Sequence, residues 1–334
     1  NGINLEGADY VTIEGFKVSP TSTAMTSGIR VVNNTGAIVR NNVVDRPAWW
    51  GIMTGFAHNL LIENNVTSNS INQHGIYVGN SAKNPVVRNN IVFGNRQSGI
   101  QLNADVNMGG DGIISGALVE GNVIYNNGAG GGAAFNLDGV TSSRFQNNLL
   151  YNNQRNGFAF YRYDGALGAK DNVVVNNTVY QPNSGYYAIQ ITDASTGNKI
   201  YNNILIGQRG AILVSADSRS GFASNYNVVN DKFNTDWNEG QPHNLASWRT
   251  ATGQDANSLV ASGTQLFANV GANDFHLSST SPAINKGGTT YAPATDKDGV
   301  GRPANGAFDI GAYEFGGSIA PIPAPSAPGN LTAT

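Results

Sequence analysis

The chain has 334 residues, of which 42 are glycine, 12% are charged, 40% are hydrophobic and none is cysteine. The formal net charge of −3 gives no positive field that would attract nucleic acid, and the lack of cysteine excludes a disulfide scaffold and thiolate metal sites. No apolar run reaches the roughly 18 residues that a spanning helix needs, so we expect no membrane span. We also expect a monomer with no nucleic-acid partner.

Asparagine recurs behind short apolar stretches through the first 230 residues, at intervals of 23 to 32 residues. The series consists of Asn42, Asn65, Asn90, Asn122, Asn148, Asn177, Asn203 and Asn227. A second series, in which an apolar residue follows a glycine, runs in step with it, as at Gly75-Ile76 and Gly99-Ile100. A period in the twenties is typical of a solenoid, in which each repeat buries its apolar side against its neighbours.

Short stretches of alternating polarity, rich in valine and isoleucine, predict strands in each repeat. One example runs from Gly99 to Asn103, and turn-forming residues bound such stretches along the chain. We therefore predict strands stacked in parallel, with about 4.8 Å between successive turns. The periodic asparagine is expected to allow the left-handed bend between strands and to pair with the asparagine one turn away, forming a buried amide ladder.

Three regions follow from these patterns. Residues 1–230 are predicted to form the repeats, and residues 231–317 a less regular segment that caps the solenoid. Residues 318–334 are rich in proline, alanine and serine and end in a sequence that looks like the first strand of a fibronectin type III module, so we predict a linker and a truncated module there.

The repeats of residues 1–230 resemble those of the pectate-lyase-like superfamily. The stretch from Ser281 to Phe315 resembles the closing segment of secreted, anchored bacterial β-helix proteins. The resemblance implies an all-β fold, a right-handed parallel β-helix with an irregular C-terminal capping segment, and a secreted or cell-surface bacterial protein. The superfamily includes lyases, hydrolases, epimerases and proteins with no known activity, so the reaction has to be argued from side chains.

Alternation along the strand that holds Gln101 predicts three columns of outward side chains. The columns hold, in turn, Tyr77, Gln101 and Ala134; Asn103, Asn136 and Tyr161; and Asp105, Asp138 and Tyr163 beside Asp164. Polar and aromatic residues cluster in the middle turns, where a repeat does not need them. We predict that Trp50, Gln101, Asn103, Asn136, Tyr161 and Tyr163 bind substrate.

Carboxylates on neighbouring turns would lie roughly 5 Å apart, and three interpretations fit them. Asp105 and Asp138 can hold a Ca²⁺ ion, which prefers oxygen ligands. Asp105, Asp138 and Asp164 can instead supply an acid and a base to a glycosidic bond. The third interpretation is structural, because aspartate ends strands by accepting backbone N–H groups.

Flanking residues offer further chemistry. His74 beside Tyr77 and Trp50 is either a general acid or base near a sugar-stacking surface or a structural histidine. Arg162 can bind a substrate carboxylate or pair with Asp164 or Asp138.

We expect a secreted enzyme that cleaves an extracellular polysaccharide, with β-elimination on a uronic-acid polymer as the first hypothesis. Ca²⁺ or Arg162 would neutralise the uronate, and His74, Tyr77 or a basic residue would take the C5 proton. The alternatives are a glycoside hydrolase that uses paired aspartates and a non-catalytic carbohydrate-binding or adhesive solenoid.

Overall fold

A computed structural model describes residues 1–19, 25–237 and 240–318. Three long parallel sheets run side by side and form a β-solenoid of about nine turns. Each complete turn contributes one strand to each sheet, in the order sheet 1, sheet 2, sheet 3. The predicted all-β parallel β-helix is confirmed.

The strands have the following bounds. Sheet 1 contains Ile3–Glu6, Ser27–Thr35, Trp50–His58, Ile76–Asn80, Ile100–Ala104, Phe135–Asp138, Phe158–Tyr161, Tyr187–Ile191, Gly210–Val214 and Phe233–Asn234. Sheet 2 contains Thr12–Glu14, Ile38–Arg40, Leu61–Glu63, Val86–Arg88, Leu118–Glu120, Arg144–Gln146, Val173–Val175, Lys199–Tyr201 and Ala223–Asn225. Sheet 3 contains Lys17–Val18, Val43–Asp45, Val66–Ser68, Ile91–Phe93, Val123–Tyr125, Leu149–Tyr151, Thr178–Gln181, Ile204–Gly207, Val228–Val229 and Leu259–Val260. A short extra sheet joins Ala82–Lys83, Ile114–Ser115 and Val140–Thr141.

The core lies inside the coil and consists of aligned apolar side chains. Along sheet 1, Ile76 pairs with Ile100, Ile100 with Phe135 and Phe135 with Phe158, and all four side chains are fully buried. The rings of Phe135 and Phe158 stack with their centroids 4.9 Å apart. The alternate residues of these strands point outward, and a register slip of one residue would exchange the two sets.

A ladder of buried asparagines connects successive turns. From Asn65 onward, the Oδ1 atom of each accepts hydrogen bonds from both the backbone N–H and the side-chain Nδ2 of the asparagine one turn earlier, whereas Oδ1 of Asn42 accepts the backbone N–H of Phe16. Asn90, for example, donates both bonds to Asn122, each at 3.0 Å. The side-chain bonds from Asn42 to Asn227 measure 2.9–3.2 Å, and all eight asparagines are fully buried. The predicted ladder is confirmed.

The left-handed bend, however, belongs to a different residue. The residue before each ladder asparagine has a positive φ, as Asn41 (57°), Asn89 (54°) and Asn147 (55°) illustrate. We had predicted that one asparagine both bends the chain and forms the ladder. In the structure the ladder asparagine bonds to the next asparagine side chain, and the residue before it makes the left-handed bend.

The last turn is covered by the helix Leu245–Thr252. Trp248 on this helix is fully buried and stacks on Phe233 with ring centroids 4.8 Å apart. Its Nε1 donates to Oδ2 of Asp255 at 2.8 Å, and Oδ1 of Asp255 accepts a bond from the last ladder residue, Asn227, at 3.1 Å. This contact replaces the next asparagine and ends the ladder.

The following segment packs along the outside of sheet 3. It contains the short helix Gly263–Leu266 and the antiparallel pair Phe267–Asn269 and Asp274–Leu277. Phe275 of this pair lies 5.1 Å from the ring centroid of Tyr151 on sheet 3. The parallel pairing itself continues past residue 230, the expected end of the repeats, to Leu259–Val260.

Three single-turn 3₁₀ helices complete the described elements: Val106–Met108, Ala216–Ser218 and Val270–Ala272. Within the described residues, no helix has the length and apolar character needed to cross a membrane. Most of the predicted linker and module of residues 318–334 lies outside the described residues, from 319 onward.

We predict that Asn122→Ala destabilises the coil by about 2 to 4 kcal/mol, because it leaves the buried donors of Asn90 without their acceptor. Urea unfolding followed by circular dichroism measures the effect. Asn126→Gly in the same turn is the control, since Asn126 is exposed and has a φ of 55° that glycine adopts freely. Equal urea midpoints for the two variants would contradict the proposed importance of the ladder.

Candidate functional site on the outer face of sheet 1

The outward side chains of sheet 1 align differently from the prediction in one turn. Gln101 pairs with Asn136, and Asn103 pairs with Asp138. We had placed Asn136 level with Asn103 and Asp138 level with Asp105, so the predicted alignment of this turn was wrong by two residues. The predicted position of Tyr77 beside Gln101 agrees with the pairing.

The error in the predicted alignment arises from the glycine-rich run of residues 128–132. We aligned Gly132 with Gly99, but these glycines form a turn before the strand, in which Gly131 N–H bonds to the carbonyl of Gly128 at 2.9 Å. Ala134 occupies the place equivalent to Gly99, and the strand begins at Phe135. Only a small side chain fits there, because a Cβ added at Gly99 would lie 2.4 Å from Cγ2 of the core residue Ile124, and Ala134 is fully buried.

Tyr77 lies at the centre of this face. Its ring extends along its own strand over Gly79, whose added Cβ would come within 2.4 Å of Tyr77 Cε1. The next turn provides Asn103, whose side chain is near enough to the Tyr77 hydroxyl to lower the pKa of the tyrosine, against the larger effect of burial. Glycine at position 79 therefore gives the tyrosine room to lie flat on the sheet.

Three amide side chains form a hydrogen-bonded row next to Tyr77. Asn136 Nδ2 donates to Gln101 Oε1 at 3.3 Å, and Gln101 Nε2 donates to Asn103 Oδ1 at 2.9 Å. Asn103 Nδ2 then donates to Asp164 Oδ2 at 3.2 Å. Tyr161 lies next to this row, because its strand pairs with the strand of Asn136 and both side chains line the same cavity. We call Tyr77, Gln101, Asn103, Asn136 and Tyr161 the amide–tyrosine row.

Asp138 faces outward but is closed off from solvent. Its carboxylate accepts the backbone N–H groups of Tyr163, Asp164 and Gly165 at 3.0, 2.7 and 3.1 Å. Burial raises the pKa of Asp138, while these three N–H bonds oppose the increase. Asp138 therefore anchors the loop of residues 162–165, and the structural interpretation applies to it.

Asp105 and Asp164 lie beside this loop and are both partly exposed. Oδ1 of Asp105 accepts the N–H of Asn107 at 2.8 Å, and the Asp164 carbonyl accepts the N–H of Val106 at 3.0 Å. One oxygen of each carboxylate has no hydrogen bond among the described residues. Burial, and to a smaller extent the charges of Asp105, Asp164 and Asp138, raise the pKa of Tyr77 to about 12. The three carboxylates are thus close enough to act on one tyrosine.

The donor set does not fit the expected calcium site. A Ca²⁺ ion takes six to eight oxygen ligands, whereas both oxygens of Asp138 are occupied by backbone N–H groups. Among the described residues, no group of three or more acidic or histidine side chains is arranged to hold a metal ion.

His74 is buried behind Tyr77, with the two rings 5.8 Å apart and nearly parallel. Its Nδ1 accepts the backbone N–H of Ser98 at 3.0 Å, which places the proton of the neutral ring on Nε2. Burial lowers the pKa of His74 to about 3. The ring stays neutral near pH 7 with its free nitrogen protonated, which argues against a role as the base.

Aromatic rings and an open loop border the two ends of the row. The ring centroid of Trp50 lies 5.9 Å from that of Tyr77 and 5.6 Å from that of Trp49. The side chain of Trp49 is 40% exposed. On the other flank Arg162 and Tyr163 project from the loop that Asp138 anchors, and both are exposed. Arg162 forms no ion pair with any residue that the structure describes.

A cavity of about 330 Å³ continues the face beyond Tyr161. Its lining includes Asn136 and Tyr161 from the row, together with Arg155, Tyr186 and Trp237. Sequence reasoning missed the last three because they lie in turns, whereas the columns covered strand positions only. The tyrosine pair at positions 186 and 187, next to the asparagine-rich corner, was the available signal.

Comparisons with known proteins agree with this fold. The family model for the right handed beta helix region matches residues 1–109 and 103–233, so the chain belongs to this family. No curated protein sequence matches it significantly.

Two solved structures are similar. The A-module of mannuronan C-5 epimerase AlgE4 from Azotobacter vinelandii has a TM-score of 0.50 at 16% identity, covering 62% of this chain and 56% of the module. Pectate lyase Pel9A has a TM-score of 0.51 at 15% identity, covering 93% of this chain and 87% of its own. The chain therefore spans only about half of the first module. At these identities the likeness concerns the fold.

The pKa of His74 predicts a pH-dependent stability. Between the unfolded value of about 6.5 and the folded value of about 3, the unfolded chain binds more protons at this site, so stability falls as the pH falls. The slope from His74 alone reaches about 1.4 kcal/mol per pH unit. His74→Asn removes the titration and keeps an acceptor for Ser98, so its unfolding free energy should fall less between pH 6 and pH 4. Parallel urea-unfolding profiles for the two proteins would refute the assignment.

Proposed function

We propose that the protein binds an extended polysaccharide along the outer face of sheet 1 and hydrolyses a glycosidic bond beside Tyr77. The observation that carries this proposal is the amide–tyrosine row, in which three hydrogen-bonded amides and two tyrosines from four neighbouring turns lie side by side. Such a surface offers flat rings for stacking and N–H and O–H groups for sugar hydroxyls.

The dimensions of the face suit a chain of sugars. Trp50 and Gln190 lie five turns apart, which corresponds to roughly 24 Å at the spacing of parallel strands. The cavity next to Tyr161 extends the same face towards Trp237. A small metabolite would occupy only a fraction of this length.

The electrostatics favour hydrolysis over the β-elimination that we first expected. Elimination needs a base and a positive group near the uronate carboxylate. His74 is neutral with its free nitrogen protonated, the pKa of Tyr77 is raised to about 12, and the negative charges of three carboxylates act on that tyrosine. Two like charges 4 Å apart repel by about 4 kcal/mol in a protein surface environment, so a uronate is disfavoured at this point.

Asp105 and Asp164 are the groups available for hydrolysis. Each keeps one carboxylate oxygen free of hydrogen bonds within the described part of the chain, and both lie within electrostatic reach of Tyr77. Glycoside hydrolases use two carboxyl groups in this way, one as an acid and one as a base or nucleophile. We propose that the sugar at the cleaved bond is neutral. Because an extended polysaccharide substrate is extracellular, we also propose that the protein acts outside the cytoplasm.

Digestion of neutral and acidic polysaccharides tests the proposal. We expect new reducing ends without the absorbance of unsaturated uronates, and a loss of at least about 100-fold in rate for Asp164→Asn. The exposed Asp171, which has a φ of 56° and lies away from sheet 1, gives the matched control Asp171→Asn, whose rate should be unchanged.

The outcomes separate the three readings of the site. A rise in the absorbance of unsaturated uronate products would show elimination instead of hydrolysis. Binding without any product in the unmodified protein would show a non-catalytic carbohydrate-binding solenoid.

A further inference from the structure

We propose that the cavity beyond Tyr161 binds a carboxylate-bearing sugar, so that the preferred polysaccharide combines an acidic sugar at this cavity with a neutral sugar at Tyr77. This inference rests on the proposed function and specifies its substrate class. It depends on two arginines that the catalytic argument does not use.

The guanidinium groups of Arg155 and Arg209 both lie against the ring of Tyr186. The guanidinium carbons lie 4.7 and 3.6 Å from the ring centroid, and Arg155 also donates a hydrogen bond to the tyrosine hydroxyl. Neither arginine forms an ion pair with a residue in the described ranges. Arg155 lines the cavity and Arg209 lies against its neighbour Tyr186, and no carboxylate of the described residues is paired with either arginine.

The solenoid backbone holds this group in place. Tyr186 N–H donates to the Arg155 carbonyl at 3.1 Å, and Arg209 N–H donates to the Tyr186 carbonyl at 2.9 Å. Gln181 Nε2 adds a bond of 2.7 Å to the Arg155 carbonyl. The three residues therefore occupy successive turns at the same corner, and their positions are set before any ligand arrives.

The cavity beside Arg155 and Tyr186 has the composition of a sugar site. Tyr186 and Arg155 line one part, Trp237 lines another, and Asn136 and Tyr161 connect the cavity to the amide–tyrosine row. Trp237 is 45% exposed and its ring contacts Tyr187 edge-on at 6.1 Å. Exposed tryptophan and tyrosine next to arginine suit a ring with one flat face and one anionic group.

Charge changes sign along the face. The three carboxylates around Tyr77 disfavour an anion, whereas Arg155 and Arg209 favour one, and the planar guanidinium fork matches a carboxylate. The turns of Asn103 and Gln190 are three steps apart, or roughly 14 Å. A homopolymer of uronates would place a carboxylate at the unfavourable centre, and a neutral polymer would leave both arginines unpaired.

Binding measurements with the inactive Asp164→Asn protein test the inference. Titration calorimetry compares gellan, which carries a single glucuronate among neutral sugars in its repeat, with carboxyl-reduced gellan, polygalacturonate and dextran sulfate. We expect gellan to bind at least about 10-fold more tightly than its reduced form and more tightly than the other two polymers.

Arginine variants connect that preference to the cavity. Arg209→Gln should remove the preference for gellan over reduced gellan, and Arg209→Lys should retain part of it, because the charge remains without the planar fork. Arg209 is exposed, so neither change is expected to affect folding. Arg40→Gln, on sheet 2, is the control and should leave the preference unchanged.

The possible failures are distinguishable. Equal binding of gellan and reduced gellan, or a preference that survives Arg209→Gln, would overturn the acidic subsite and leave the proposed function intact. Tighter Arg209-dependent binding of dextran sulfate would overturn the carboxylate in favour of a sulfate. If none of these polymers or the neutral ones binds, the proposed function itself fails and the inference with it.

Discussion

The buried asparagine ladder is the constraint on which the rest of the molecule depends. Between its two end members, each amide oxygen accepts two bonds from the preceding turn, and each amide nitrogen donates to the next asparagine and to a backbone carbonyl, as Asn122 does to Asn148 and Val87. Every polar atom is therefore paired inside an apolar core, where an unpaired one would cost about 1 to 3 kcal/mol. The pairing fixes which residue of each turn sits at the corner, and hence the register of all three sheets.

Register in turn creates the candidate site. Because side chains alternate along a strand, the outward positions of sheet 1 fall into columns that are set by the corners on either side. The amide–tyrosine row is formed by residues far apart in sequence that share these columns. The loop of residues 162–165 is fastened to the row by the enclosed carboxylate of Asp138, so that Asp164 is held next to Asn103. A charge that looked catalytic in the sequence has a positioning role here.

The sequence predicted the features that repeat and failed on those that do not. The asparagine period, the glycine-apolar pairs and the alternating strands gave the coil, the ladder and most columns correctly. The predicted alignment of the turn containing Asn136 was wrong by two residues, because the glycine-rich run of residues 128–132 allows several equivalent alignments. The roles of Asp138 and His74 depend on backbone N–H groups from neighbouring turns, at Tyr163 and Ser98, and neither contact has a signature in local sequence. The cavity arginines lie in corners, where no periodic pattern marks them.

The most direct test of this account is a crystal structure of the Asp164→Asn protein with a bound oligosaccharide from a polysaccharide that it degrades. The account predicts sugar rings on the outer face of sheet 1, over Tyr77 and Tyr161, with the chain running along the coil between Trp50 and Trp237. Sugar bound on sheet 2 or on the C-terminal segment, with the face of sheet 1 empty, would contradict it.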